Sequence, residues 1–146
     1  MKKLLVIFCM MCGSTIATKA NGTNTSNSAA NARATHLSDQ MIRELKLNNY
    51  QSAKLREINL KVAEQMLAIE QQYAGNQAKI QELCKDVCTQ RDMYLENVLS
   101  TVQYNRYFNN RPDYSQLDQE FMTNLQHEAE ESDDLATASA NTVAVN

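Results

Sequence analysis

Residues 49–98 read NYQSAKLREINLKVAEQMLAIEQQYAGNQAKIQELCKDVCTQRDMYLENV, and this stretch decides the fold. Apolar residues recur in its first half at intervals of three or four, which place them on one face of an α-helix. They are Leu55, Ile58, Val62, Met66, Ile69 and Tyr73. The second half repeats the same intervals with Ile80, Leu83, Val87, Arg91, Tyr94 and Val98. The pattern predicts two long amphipathic helices.

A chain reversal is predicted between these two helices, at Gly75 and Asn76. If the chain folds back there, the facing positions of the two apolar series have residue numbers that sum to 152 or 153 in every pair. Glycine can adopt the left-handed conformation that ends a helix, and Asn76 can cap the next one. We therefore predict a long antiparallel helical hairpin. A single helix continuing through Gly75 is the alternative, because one glycine costs a helix only about 1 kcal/mol.

The composition favours an all-α fold. The chain has three Gly and one Pro in 146 residues, where average usage would give about 12% for the two together, so a turn-rich β fold is excluded. Short flanking helices are predicted to begin at Ser38, Ser100 and Ser115, each of which can cap a helix. Such a set of helices has a thin core, and we therefore expect a homodimer.

The first twenty residues have the layout of a secretory signal peptide. Met1, Lys2 and Lys3 precede an apolar run that ends at Met11, and small and polar residues follow to Ala20. The apolar run is too short to span a bilayer. We expect cleavage after Ala20 or after Ala17, which would release an exported protein with no membrane insertion.

The mature chain divides into three predicted segments. Residues 21–36 are rich in Asn, Thr, Ser and Ala and are predicted to form a disordered linker. Residues 37–130 form the helical-hairpin domain. Residues 131–146 are predicted to form a disordered acidic and polar tail.

Charge and residue content exclude several classes of function. The net charge is -3 and no basic stretch stands out, so no nucleic-acid partner is expected. His127 and Glu128 are similar to part of a zinc-protease helix, but the second histidine of such a helix is missing. The carboxylates are scattered over predicted solvent-facing positions. We therefore predict no enzyme, no catalytic residues, no metal site and no cofactor.

Two similar pentapeptides bracket the predicted hairpin, at residues 47–51 and 99–103. Each has the form of a leucine, a capping residue, two further residues and a glutamine. This is the pattern of a capping box, in which the cap side chain and the glutamine side chain each bind a backbone N–H of the other residue. The motif residues are Leu47, Asn48, Gln51, Leu99, Ser100 and Gln103.

These two boxes, in a small helical chain with a signal peptide, resemble the LTxxQ motifs of the Spy/CpxP family of periplasmic proteins. The resemblance covers about residues 40–110, with Asn48 and Ser100 in place of the family's threonine. It implies a curved helical homodimer in the periplasm that binds unfolded or aggregation-prone proteins without ATP. An alternative of the same fold is an envelope-stress accessory protein that responds to metal or redox state through Cys84 and Cys88. A purely structural helical oligomer is the third possibility.

A second apolar row lies opposite the predicted core face of the first long helix. It consists of Ala53, Leu60, Ala63, Leu67 and Ala74, which a lone hairpin would leave in water. The row could pack under the short flanking helices, form a dimer seam or contact clients. Leu60 and Leu67 are therefore candidates for a dimer or client surface. The aromatic cluster of Tyr104, Tyr107 and Phe108 is interpreted as core or as a client contact.

Cys84 and Cys88 are the two cysteines that remain after signal cleavage, and they lie one helical turn apart. An exported chain meets an oxidising compartment, where thiols commonly pair. A spacing of four within a helix is awkward for a disulfide. Three interpretations stay open: a disulfide within the helix or between protomers, thiols without a role, and metal binding across a dimer.

Overall fold

The computed structural model describes residues 22–141, which form five α-helices. They are α1 (Gly22–Leu45), α2 (Asn49–Gln72), α3 (Gln77–Glu96), α4 (Thr101–Asn109) and α5 (Arg111–Asn141). The predicted all-α class is confirmed. The predicted signal peptide at residues 1–20 lies outside the described residues. A membrane-spanning helix, judged by length and apolar content, is not found in the described part of the chain.

The connection between α2 and α3 contains the turn residues that the sequence indicates. Tyr73 ends α2, with its N–H donating to the carbonyl oxygen of Ile69. Gly75 has φ +87°, in the left-handed region that favours glycine. The Asn76 side chain accepts from the N–H of Lys79 at 3.1 Å and caps α3. Two separate helices therefore form here instead of a single continuous one.

The facing surfaces of α2 and α3 share one buried cluster. Val62 and Met66 of α2 pack with Val87 of α3. Ile58, Ile69, Cys84 and Cys88 pack against this cluster and are partly buried. Apolar area removed from water in this way stabilises the helix pair, at about 25 cal/mol per Å².

The first helix corrects the predicted linker over residues 21–36. Instead of disorder, α1 begins at Gly22 and continues to Leu45. Ala30 and Ala34 are buried against Ala63 and Leu67 of α2. Small side chains let the two helices approach closely, and this contact with a distant apolar row stabilises a segment whose composition alone indicates disorder. The linker prediction is wrong for the described residues.

Ser38 also has a different role from the one predicted. It lies inside α1, is fully buried, and its Oγ lies 3.0 Å from the donating Nδ2 of Asn59. It therefore bridges α1 to α2 and does not start a helix.

The main core lies where all five helices meet. The cluster combines the second half of α1 with residues of the other four helices and the α3–α4 connection. Its buried members are Leu37, Met41, Leu45, Leu55, Leu95, Leu99, Tyr107 and Tyr114.

The last helix follows α4 almost without a break. Asn110 caps α4, and Pro112 is the second residue of α5, where its missing N–H is tolerated. We predicted a disordered tail over residues 131–146, whereas α5 runs to Asn141. The tail holds several alanines and no Gly or Pro, so its local sequence permits a helix. Residues 142–146 lie outside the described residues.

Candidate functional site

Both halves of each predicted capping box are present. At the start of α2, the N–H of Gln51 donates to Asn48 Oδ1 at 2.9 Å, and the N–H of Asn48 donates to Gln51 Oε1 at 3.2 Å. At the start of α4, the N–H of Gln103 donates to Ser100 Oγ at 3.4 Å, and the N–H of Ser100 donates to Gln103 Oε1 at 3.0 Å. Each box satisfies backbone donors that a helix start would otherwise leave unpaired.

The two boxes also contact each other, which the sequence analysis did not predict. Gln51 Nε2 donates to Gln103 Oε1 at 2.8 Å, and Gln103 Nε2 donates to Gln51 Oε1 at 3.2 Å. Gln51 Nε2 further donates to the carbonyl oxygen of Val98, and Gln103 Nε2 to that of Leu45. This pair of amides joins the start of α2 to the start of α4, and both to the last residue of α1 and to the connection that follows α3. The sequence feature that could have predicted this contact is the presence of two similar boxes, one at each end of the predicted hairpin.

The middle of the second apolar row is covered by the chain's own α1, whereas Ala53 and Ala74 at its two ends are exposed. Leu67 is 9% exposed, Ala63 is buried, and Leu60 is partly buried in the same cluster. Ala30 and Ala34 supply the covering surface, with Met122 of α5 beside them. Within the single chain Leu67 packs under a flanking helix, which is the first of the three alternatives, and Leu60 does so in part.

The exposed large apolar side chains lie elsewhere. Their exposed fractions run from 44% to 79%, and they are Tyr50, Met93, Tyr94, Val102 and Phe108. Tyr107, from the same aromatic cluster as Phe108, is fully buried. The cluster is thus split between the core and the surface.

An open groove of about 790 Å³ lies between α3 and the first turns of α5. The backbones of these two helices do not approach each other closely within the described residues, although Asp92 of α3 pairs with Arg111 of α5. The helices α1 and α2 supply Arg33, Met66 and Glu70 to the groove. Further apolar lining comes from Ile80, Phe108 and Pro112. The groove brings apolar and charged side chains together on one concave surface.

One end of the groove holds a buried ion-pair network. The guanidinium of Arg33 binds both carboxylate oxygens of Asp118, at 2.9 and 2.7 Å, and contacts Glu70 at 3.1 Å. Burial opposes the charged form, but the hydrogen bonds and charges of Asp118 and Glu70 raise the pKa of Arg33 above its ordinary value. This network joins α1, α2 and α5. Sequence analysis missed it because Arg33 stood in the predicted linker.

A second polar network lies along the other side. Arg91 is 5% exposed, and its Nε donates to Tyr107 Oη at 3.1 Å. Tyr107 Oη donates in turn to Asp92, which pairs with Arg111. Within the described residues no carboxylate forms an ion pair with Arg91. Burial raises the pKa of Tyr107, so the phenol stays protonated and able to donate.

Cys84 and Cys88 line the same groove as partly buried, free thiols. The intrahelical disulfide weighed in the sequence analysis is not formed. Burial raises the pKa of both thiols, so they are protonated at neutral pH. Among the described residues, no group of three or more His, Cys, Asp or Glu could hold a metal ion.

These features define a class of small helical protein in which paired capping boxes join the helix ends beside an open groove. A family model with the description "Domain of unknown function (DUF4890)" matches residues 17–107. The match spans more than half of the chain, so the protein belongs to this family. The matched residues include both boxes and most of α1 to α4, while α5 follows them. Comparisons with curated proteins and with solved structures gave no match. Neither comparison bears on the resemblance to the Spy/CpxP family, which stays a prediction.

Proposed function

We propose that this protein is an exported, periplasmic, Spy/CpxP-like protein that binds unfolded or aggregation-prone chains without ATP. The observation that carries the proposal is the open groove between α3 and α5. Its lining combines apolar side chains such as Ile80 and Phe108 with charged ones such as Lys85 and Arg111. An unfolded chain presents apolar side chains beside exposed backbone polar groups. A mixed surface of this kind can bind such a chain weakly and release it without a nucleotide.

The proposal includes the architecture that the resemblance implies. In it, α2 and α3 are the two arms of an antiparallel hairpin, and two chains form a homodimer. Support for the hairpin comes from the shared cluster of Met66 and Val87 and from the left-handed Gly75. Support for the dimer comes from Met93 and Tyr94 of α3, which are 54% and 45% exposed in a single chain. Neighbouring large apolar side chains in water commonly mark an interface.

Light scattering from an aggregating client tests the proposed function. The mature protein, purified from the periplasmic fraction, is added without nucleotide to a chemically unfolded enzyme as it is diluted from denaturant. We expect it to reduce aggregation. We expect Ile80→Ser combined with Phe108→Ser to reverse most of that effect, because both side chains line the groove.

The matched control is Val102→Ser. Val102 is the most exposed large apolar residue among those described, at 79%, and it is not part of the groove lining. It should protect the client as well as the natural protein does. No protection by the natural protein, or an equal loss in Val102→Ser and in the groove variant, would contradict the proposal.

A further inference from the structure

We propose that Cys84, Cys88 and Met66 form a binding site for one Cu(I) ion in the groove between α3 and α5. The inference goes beyond the proposed binding of unfolded chains and does not depend on it. It rests on three observations: the placement of three sulfur side chains, their chemical softness, and a buried cation beside them that forms no ion pair with a carboxylate of the described residues.

The three sulfur side chains line one groove from two helices. Cys84 and Cys88 lie one turn apart on α3, so their side chains share one face with Cβ atoms about 5–6 Å apart. Both pack against the cluster that contains Met66 of α2, which is 7% exposed. All three residues line the same groove, which gives an ion access from solvent. The site therefore has two thiols on one wall and a thioether on the adjoining one.

The two thiols and the thioether favour Cu(I) over other metal ions. Thiolate and thioether sulfur are soft ligands and favour Cu(I), whereas Mg²⁺ and Ca²⁺ take oxygen ligands. Structural zinc takes four ligands, mostly Cys and His. In the described residues, no further His or Cys joins Cys84 and Cys88 to make such a set. Two thiolates and one thioether thus suit a soft monovalent ion of low coordination number.

Arg91 places a positive charge beside the proposed complex of Cu(I) with the two thiolates. Binding replaces the protons of the two thiols, which pass to solvent, and the Cu(I) ion with two thiolates carries a net charge of about -1. Arg91 lies three residues after Cys88 on α3, is 5% exposed, and has no ion pair with a carboxylate in the described part of the chain. Asp92 lies near Arg91 but pairs with Arg111 and Tyr107, and a buried cation is costly unless it is well paired. The anionic complex would provide a further counter-charge beside Arg91, with no oxidation or reduction of either partner.

Competition with the chromogenic chelator bicinchoninate tests the site. The reduced mature chain is titrated anaerobically into the Cu(I) complex of the chelator, and the loss of its colour reports transfer of the ion. We expect one Cu(I) per chain. Cys84→Ser combined with Cys88→Ser should abolish transfer, and Met66→Leu, which keeps the side-chain volume, should weaken binding on the order of tenfold.

The matched control is Met93→Leu. Met93 is on the same helix as the thiols, is 54% exposed, and does not line the groove, so this variant should bind as the natural chain does. X-ray absorption at the copper edge should show three sulfur neighbours in the natural chain and two in Met66→Leu. The proposal is overturned if the natural chain fails to compete, if the double serine variant still binds, if Zn(II) binds more tightly than Cu(I), or if Met66→Leu equals Met93→Leu.

Discussion

Gln51 and Gln103 connect the start of α2 to the start of α4. Each side chain completes its own capping box and also pairs with the other amide, at 2.8 and 3.2 Å. The same side chains reach the carbonyl oxygens of Val98 and Leu45. Each glutamine therefore binds at its own helix start, at the other box and at a carbonyl oxygen at or just after the end of another helix. This reach favours glutamine over a shorter amide at both positions.

We expect Gln51→Ala and Gln103→Ala each to lower the free energy of unfolding by about 1–2 kcal/mol, because each leaves partly buried polar groups unpaired. The double variant should cost less than the sum, with a coupling of at least about 0.5 kcal/mol, since the two side chains bind each other. Chemical denaturation of the four proteins measures this. Gln90→Ala, an exposed position on α3, is the control and should change little. Additive losses would show that the amide pair does not form.

The groove thiols give a prediction about pH. Burial raises the pKa of Cys84 and Cys88, so each folded thiol holds its proton at a pH where an unfolded thiol has lost it. Alkylation by iodoacetamide near pH 8 should be slower in the folded protein than in the protein unfolded by denaturant. The stability contributed by the protonated thiols is complete below about pH 8.5 and is lost as the pH rises through their raised pKa values. Equal alkylation rates in the folded and unfolded protein would contradict this account.

At the scale of the secondary-structure elements, α1 explains why α2 has a second apolar face. The sequence of α2 presents two apolar faces, and α3 covers only one of them. The other face receives Ala30 and Ala34 of α1, whose small side chains allow close helix contact. A helix that is apolar on two sides is stable here because it lies between two neighbours.

Leu67→Asp tests that contact. A carboxylate at this buried position would lose the apolar contacts with α1 and stand without a partner, and we expect a loss of about 2–5 kcal/mol in the free energy of unfolding. Thermal or chemical denaturation measures it. Ala68→Asp, the exposed neighbour on the same helix, should cost less than about 1 kcal/mol. A Leu67→Asp protein of natural stability but altered self-association would instead support the dimer interpretation of this row.

At the scale of the whole molecule, the sequence predicts the features that depend on neighbouring residues but not the contacts between distant ones. The capping boxes, the turn at Gly75 and the all-α class follow from patterns within a few residues, and the structure contains each of them. The ion pair of Arg33 with Asp118 joins residues 85 positions apart, and no local pattern links them. The same kind of distant contact, made by Ala30 and Ala34 with α2, orders part of the predicted linker. The composition of that segment is typical of disorder, and nothing local in it shows that these two alanines pack on the apolar row of α2.

The groove also depends on contacts between residues that are far apart in the sequence. It requires α1, α2, α3 and α5 to be in place, so the two thiols could be interpreted from sequence only as a pair on one helix. With Met66, Arg91 and Phe108 around them, they become part of a surface that can receive a ligand.

Photo-crosslinking tests the central claim, that unfolded chains bind in this groove, most directly. A photoreactive phenylalanine analogue replaces Gln81, an exposed residue of the groove lining, or Tyr50, which is 69% exposed and is not part of that lining. Each protein is irradiated with an unfolded client in the absence of nucleotide. We predict a crosslinked client at position 81, lost when excess unlabelled client competes, and little at position 50. Equal crosslinking at both positions, or none at position 81, would contradict the account.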